Sequence, residues 1–92
     1  MYIEIITPEK TLFKGEAKLV RVPGSAGSFA MLPGHAPIVS TLEPGIIRII
    51  GSSKNTYYEL MEPAVVEQHR DRVIILTDCI RETFPIERAF SK

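Results

Sequence analysis

Gly24-Ser-Ala-Gly-Ser-Phe-Ala-Met-Leu-Pro-Gly-His-Ala-Pro37 is the stretch of sequence on which the prediction of the fold depends. Each proline fixes φ and lacks a backbone donor, and each glycine reaches conformations closed to other residues. Pro33-Gly34 predicts a turn, and the residue before Pro37 is biased toward extended geometry. We therefore expect this segment to fold back on itself twice, with residues 29–32 as a short strand between the turns. A loop specified this closely is often functional.

Short apolar runs flank this stretch on both sides, and a proline or glycine separates nearly all of them. The predicted strands span residues 2–7, 10–14, 16–22, 38–42, 46–50, 57–61, 64–67 and 72–77. The predicted structural turn residues are Pro33, Gly34, Pro37, Pro44 and Gly45. Helical patterns between the strands are missing, so the spacing predicts an all-β fold, a flattened sandwich or barrel of short strands.

Only the tail from Ile80 to Lys92 has a pattern that could become helical. Pro85 suits a first helical position, but a helix of two turns is marginal by itself. We expect one β domain over residues 1–84 and, at most, a short C-terminal helical stub over residues 85–92.

Composition and charge argue against several classes of protein, among them nucleic-acid-binding, membrane-spanning and disulfide-stabilised proteins. The 92 residues suffice for one domain, and 45% apolar and 24% charged residues are typical of globular proteins. Eleven basic residues balance eleven acidic ones, so no overall field attracts nucleic acid or an anionic membrane. No signal peptide or membrane-spanning run is evident, and the single Cys79 cannot form an internal disulfide. These features predict a soluble cytoplasmic domain.

Residue patterns for catalysis or cofactor binding are missing. His35 and His69 are the only histidines, and neither has a cysteine or carboxylate at metal-ligand spacing. Cys79 fits a small buried cysteine better than a reactive thiol. The glycine-rich segment 24–28 lacks the lysine and the following helix of a phosphate-binding loop. We expect no catalytic residue, metal, nucleotide or other cofactor.

Two predicted strands carry apolar residues on both faces. In residues 46–50, placing Arg48 outward sends Ile47 and Ile49 inward and leaves isoleucines beside Arg48. Such a strand could be central in the sheet, covered by the tail, or part of an outer face that meets a partner. The candidates for a partner or tail contact are Ile46, Ile50, Ile74 and Leu76.

Four motifs follow one another with short spacers. They are Thr7-Pro-Glu-Lys-x-Leu-Phe-x-Gly15, Val22-Pro-Gly-Ser-x-Gly27, Leu32-Pro-Gly-His-Ala-Pro37 and Leu42-x-Pro-Gly-Ile-Ile-Arg48. Over about residues 2–90 the chain resembles the N-terminal domain of the epsilon subunit of rotary F-type ATP synthases. The resemblance implies a flattened ten-stranded β-sandwich and a non-catalytic rotor subunit of the central stalk. Such a subunit couples proton or sodium flow to ATP synthesis, peripheral to the cytoplasmic face of the cell membrane.

The resemblance also implies partners and contact residues. The gamma subunit would be contacted by Thr7, His35 and Ser40, and the c-ring by Ala26, Gly27 and Ser28. Many relatives carry glutamate where this chain has Ala26 and Ser28, which leaves backbone and hydroxyl contacts rather than charge pairing. The membrane would be reached only through the complex.

The chain departs from many relatives after residue 84. Residues 86–91 align with a nucleotide-binding motif, but Glu87 replaces its aspartate and Phe90 its arginine. The helical hairpin that inhibits hydrolysis in relatives would begin where this sequence ends. The resemblance therefore implies neither that inhibitory latch nor a nucleotide site. The alternative is a small β-sandwich adaptor that binds a different partner through the same loop.

Overall fold

Short strands make up the regular structure of this chain, and the described residues contain no helix. The computed structural model describes residues 1–34 and 36–84. Within them the strands are β1 (Tyr2–Ile6), β2 (Thr11–Glu16), β3 (Leu19–Val22), β4 (Phe29–Met31), β5 (Ile38–Leu42), β6 (Gly45–Ile50), β7 (Asn55–Leu60), β8 (Ala64–His69), β9 (Arg72–Leu76) and β10 (Ile80–Thr83). Ten strands and no helix confirm the predicted all-β class for this part of the chain.

The strands pair into two five-stranded sheets. Sheet A has the order β2-β1-β9-β8-β5, and sheet B has the order β10-β7-β6-β3-β4. The pairing is antiparallel except between β1 and β9, which run parallel. In β8 buried and exposed residues alternate strictly, as expected when one sheet face covers a core and the other faces solvent. The two sheets therefore form a sandwich.

The core consists mainly of β-branched and leucine side chains from both sheets. The largest fully buried apolar residues are Ile3, Ile5, Val20, Val22, Met31, Leu42, Ile47, Leu60, Val66, Val73 and Ile75. Full burial of a side chain of this size contributes about 1.5–3 kcal/mol relative to exposure. The predicted inward direction of Ile47 and Ile49 is confirmed, since both are buried.

Tyr58 closes the core where sheet B meets β2. Its ring lies edge-on to Phe13, with ring centroids 6.2 Å apart and an interplanar angle of 73°. Burial raises the pKa of the Tyr58 phenol, and the nearby Glu82 carboxylate raises it further. Because the phenol stays neutral, it tolerates this apolar position.

Two local features differ from the predictions. No strand was predicted at residues 80–83, where the pattern could also become helical. These residues, inside the predicted β domain of residues 1–84, form β10, which pairs antiparallel with β7. The pairing satisfies backbone hydrogen-bonding groups of β7, and Ile80, opposite Leu60, packs against the core. An isolated short helix would gain neither of these contacts. The second strand was predicted over residues 10–14 and the third over 16–22, but β2 runs through Gly15 to Glu16 and β3 begins at Leu19. The stub predicted over residues 85–92, with its domain boundary, lies outside the described residues.

The stretch between Gly24 and Pro37 folds back twice, as predicted. The first turn is closed by the Gly27 N–H, which donates to the Gly24 carbonyl at 3.0 Å. β4 follows and pairs with β3 of sheet B. The second turn contains Gly34, whose φ is 79°. The two turns therefore lie at opposite ends of β4 and do not form one loop.

Gly24 is also the point where the two sheets join. It forms an isolated bridge with Leu42, the last residue of β5 in sheet A. A Cβ atom at this position would lie 2.7 Å from the Gly27 carbonyl oxygen and 2.7 Å from the Phe29 ring. Because the backbone oxygen cannot easily move, only glycine permits this close approach.

The other predicted turn residues lie where the chain changes direction. Pro37 immediately precedes β5, and Pro44 separates β5 of sheet A from β6 of sheet B. Gly45 opens β6, and a Cβ there would approach the Pro23 Cβ to 2.9 Å. These residues therefore allow an abrupt passage between the sheets.

We predict that Gly34→Ala lowers the free energy of unfolding by about 1 kcal/mol, because its φ favours glycine. No atom lies within 4 Å of the added Cβ, so the cost comes from the backbone alone. Gly15→Ala is the matched control, because the nearest atom there is a Phe13 ring carbon at 3.7 Å. Urea denaturation measures both changes, and equal midpoints for the two variants would contradict the prediction.

Arg70 offers the reciprocal test, because it is the non-glycine residue with positive φ, 59°, in the described chain. Arg70→Gly should raise the free energy of unfolding by up to about 1 kcal/mol, since relief of the strained backbone exceeds the added unfolded-state entropy. Arg70→Ala removes the same charge but keeps a Cβ, so it should give no gain. Urea denaturation should therefore give a higher midpoint for Arg70→Gly than for Arg70→Ala, and the opposite order would contradict the prediction.

Candidate functional site

The outer face of sheet A carries a row of three apolar side chains and one threonine that crosses four strands. Cross-strand pairing places Ile6 of β1 beside Leu76 of β9, then Val65 of β8, then Thr41 of β5. Leu76 is 46% exposed and Val65 37% exposed. These four residues are called the apolar row below. Their side chains form a contiguous surface because paired residues on one face lie about 5 Å apart.

The next rows along the same face become progressively more polar. Two residues back from the apolar row, Ile74 lies between Glu4 and Glu67. One strand further on, Val39 pairs with Glu67 and is 71% exposed. Arg72, in the following row, donates from Nη2 to Glu4 Oε1 at 3.1 Å. The face therefore changes from apolar at one end to charged at the other.

A groove of about 370 Å³ opens beside the apolar row. It is lined by Ile6, Thr7, Pro8, Pro63, Ala64, Val65, Leu76, Thr77 and Asp78. The two prolines lie beyond the row at the same end of the sheet, Pro8 after β1 and Pro63 before β8, the two strands that flank β9. Six of the nine lining residues are apolar, and Thr7, Thr77 and Asp78 add polar groups, a mixture that suits a protein side chain.

Thr7 and Ser40, two predicted partner contacts, lie apart. Thr7 lines the groove, and its hydroxyl donates to the Lys10 carbonyl at 3.0 Å, which closes the turn before β2. Ser40 pairs with buried Val66, so its side chain is on the inner side of edge strand β5. Since β9 and β8 separate β1 from β5, the two residues are at least about 14 Å apart. His35, the third predicted contact, lies outside the described residues.

The loop with Ala26, Gly27 and Ser28 is exposed and adjoins the apolar row. The Ser25 N–H donates to the Thr41 carbonyl at 3.0 Å, and the Thr41 hydroxyl donates to Ser25 Oγ at 2.9 Å. Thr41 is the last member of the row, so these bonds join the row to the loop. On its other side, Arg21 donates to Ser28 Oγ at 3.2 Å. The structure thus brings the predicted c-ring loop beside the exposed apolar surface.

The outer face of sheet B is more fully covered. Ile46 and Ile50 point outward as predicted, but both are half-buried. Between them the Arg48 guanidinium lies over the Tyr57 ring, 6.0 Å from its centroid. The long side chains on this face shield apolar surface by lying along it. Of the two strands predicted to meet a partner, β9 in sheet A therefore presents the more exposed apolar surface.

Sequence reasoning missed Gln68, a polar residue that is 1% exposed. It occupies an inward position of β8, two residues after buried Val66. Its Nε2 donates to the Leu32 carbonyl at 3.3 Å, next to the turn at Pro33–Gly34. The alternation in β8 was a usable signal, because a polar residue at an inward position needs a partner.

The described residues contain no cluster of three or more histidine, cysteine or acidic side chains able to hold a metal ion. Cys79 is a half-buried free thiol in this part of the chain, and its N–H donates to the Thr77 hydroxyl at 3.3 Å. None of the described residues belongs to a helix with the length and hydropathy needed to span a bilayer.

Sequence comparison finds relatives among bacterial ATP synthase epsilon chains. The chain is 31% identical over 78 residues to the ATP synthase epsilon chain of Bordetella parapertussis, covering 85% of this chain and 56% of that relative. It is 30% identical over 78 residues to the epsilon chain of Bordetella avium, covering 85% of this chain and 55% of that one. The chain thus spans little more than half the length of these relatives.

Two solved structures share the fold. A chain of the Euglena gracilis mitochondrial ATP synthase, OSCP/F1/c-ring in rotational state 1, superposes with a TM-score of 0.80 at 19% identity, over 94% of this chain and 56% of that one. A chain of the Tetrahymena thermophila mitochondrial ATP synthase, central stalk and c-ring, superposes with a TM-score of 0.75 at 13% identity. The match covers 99% of this chain and 70% of that one. At this identity the likeness supports the sandwich architecture alone.

The sandwich itself is the part of the chain that a family model recognises. The model described as "ATP synthase, Delta/Epsilon chain, beta-sandwich domain" matches residues 1–82. This range contains the apolar row, the adjoining loop and nearly all of the ten strands. The chain belongs to the family of ATP synthase delta/epsilon chain β-sandwich domains.

Proposed function

We propose that this chain is a non-catalytic rotor subunit of the central stalk of an F-type ATP synthase, where it fixes the gamma subunit to the c-ring. In this way it transmits rotation driven by proton or sodium flow to ATP synthesis. The observation that carries the proposal is the apolar row on sheet A, joined through Thr41 to an exposed loop. In a member of this family, the two surfaces suit two different partners.

Gamma is assigned to the outer face of sheet A. Leu76 and Val65 leave apolar surface in water, which burial against a partner would remove. The groove between Pro8 and Pro63 can accept a projecting side chain, and Thr7 adds a polar group to its lining. The charged rows around Glu4 and Arg72 would form the polar edge that surrounds an interface core.

Ser40 and His35 extend the proposed gamma surface beyond that face. Ser40 lies on edge strand β5 and is half-buried, so a partner can reach it only by covering the edge as well as the outer face. The assignment of His35 rests on the sequence motif from residue 32 to residue 37.

The c-ring is assigned to the loop that includes Ala26, Gly27 and Ser28. Its four exposed residues, 25–28, carry no charge, so the proposed contacts use backbone groups and hydroxyls. Gly27 has φ 130°, and no atom lies within 4 Å of a Cβ placed there, which leaves room for close approach by another backbone.

We propose that the chain is peripheral, on the cytoplasmic face of the membrane, and is held there by the complex. The absence of a catalytic role is part of the proposal, supported by described surfaces that offer apolar and hydroxyl contacts rather than converging titratable groups. Affinity capture from membranes of the source organism tests the whole proposal. Recovery of gamma and c subunits is expected, whereas capture of an unrelated protein without them would favour the adaptor alternative.

A charge in the apolar row should weaken gamma binding selectively. Leu76→Glu is expected to reduce affinity for gamma at least about tenfold, because a carboxylate would be buried at the centre of the interface. Stability should change little, since Leu76 is 46% exposed. Asn55→Glu, which adds the same charge on the outer face of sheet B, is the control and should bind like wild type. Calorimetric titration with gamma decides the matter, and equal losses for both variants would rule out this face.

The two histidines provide a second matched pair. His35→Ala should weaken gamma binding several-fold and leave the melting temperature unchanged, as expected of an interface residue without a core role. His69→Ala removes the other imidazole from an exposed position at the charged end of sheet A. It should bind gamma with nearly the wild-type affinity. A His35→Ala variant that melts lower but binds normally would make His35 a structural turn residue instead.

A further inference from the structure

Gln68 has an unusual position among the polar residues of this chain. It is 1% exposed, lies between Ile38 and Val73 in the register of sheet A, and points into the core. Its Nε2 donates to the Leu32 carbonyl at 3.3 Å. Its Oε1 is buried and no protein donor reaches it, the single such side-chain atom in the described residues.

This arrangement does not serve stability. A buried carbonyl oxygen without a donor loses its hydration and gains nothing in return, so an apolar side chain of similar length would suit this core position better. Val66, at the previous inward position of the same strand, shows that the surroundings accept an apolar residue. The role of the Gln68 amide is therefore its single hydrogen bond to the Leu32 carbonyl.

That bond connects the two sheets at the second turn. Gln68 belongs to β8 of sheet A, and Leu32 directly follows β4 of sheet B. Leu32 is 46% exposed, so apolar packing alone holds it weakly. The next residues are Pro33 and Gly34, and the proline ring and the positive φ of Gly34 restrict the backbone of this turn.

We propose that Gln68 is a positioning residue for the gamma contact proposed near the second turn: its amide holds the Leu32 carbonyl and thereby fixes the turn at Pro33–Gly34. The inference rests on the proposed function for its partner, but the restraint on the turn can be measured without any partner. Without this bond, the turn must be ordered when gamma binds, at a cost of about tenfold in affinity for each backbone residue that loses its freedom.

The test uses Gln68→Met, which keeps the length of the side chain and removes both amide atoms. Gln68→Leu provides a second apolar shape in case methionine packs poorly. Thr56→Val is the matched control, because it also removes a buried polar group, from β7, which β6 and β3 separate from β4. Three quantities are measured for each variant: the melting temperature, the backbone ¹⁵N order parameters of Leu32, Gly34 and Ala36, and the affinity for gamma.

We expect the Gln68 variants to melt no lower than wild type, while the order parameters of the turn fall from about 0.85 toward 0.6. The affinity of the Gln68 variants for gamma should fall about tenfold. Thr56→Val should change neither the order parameters of the turn nor the affinity for gamma. Unchanged order parameters in both Gln68 variants would overturn the proposal, and so would a mobile turn with unchanged affinity. If wild-type protein fails to bind gamma, the proposed function fails, whereas the order parameters still decide whether Gln68 fixes the turn.

Discussion

Backbone hydrogen bonds between residues 23–25 and residues 41–43 hold the edge of sheet A against sheet B, and the candidate surfaces depend on them. The Ser25 and Glu43 N–H groups donate to Thr41 and Pro23 carbonyls at 3.0 and 2.8 Å. Gly24 must lack a side chain, because a Cβ there would meet the Gly27 carbonyl oxygen and the Phe29 ring. Because Thr41 belongs to the apolar row, the same bonds fix the exposed loop beside that row. These hydrogen bonds join the two surfaces directly, which suits the proposed transmission of torque between two partners.

Local chemistry in the sequence was enough to predict the class of fold. Proline and glycine between short apolar runs predicted strands and turns, and period-two alternation around Arg48 placed Ile47 and Ile49 in the core. The prediction missed the strand at residues 80–83, where two charged residues follow Ile80 and hide a strand that depends on β7 for its hydrogen bonds. It was wrong at Gly15 because an edge strand accepts a glycine that no neighbour crowds.

The surfaces could not be assembled from the sequence, because they depend on pairing between distant segments. The motif resemblance supplied Thr7, His35 and Ser40 as contacts, but it gave no indication that Thr7 lines a groove while Ser40 faces inward at an edge. The apolar row needs the register of β1 with β9 and of β9 with β8, which no local pattern encodes. Gln68 was overlooked for a related reason: its partner carbonyl belongs to the other sheet.

The parallel pairing of β1 with β9 also has a consequence for how the chain folds. Tyr2 pairs with Arg72, so sheet A has no continuous centre until nearly the whole domain has left the ribosome. At ordinary rates of synthesis, β1 waits on the order of 10 s for its neighbour. Contacts this distant in sequence are typical of domains that fold in milliseconds to seconds rather than microseconds. During that delay Ile3 and Ile5, which are fully buried in the folded domain, have no core to enter. The nascent chain is therefore more prone to aggregation and chaperone binding than the folded domain.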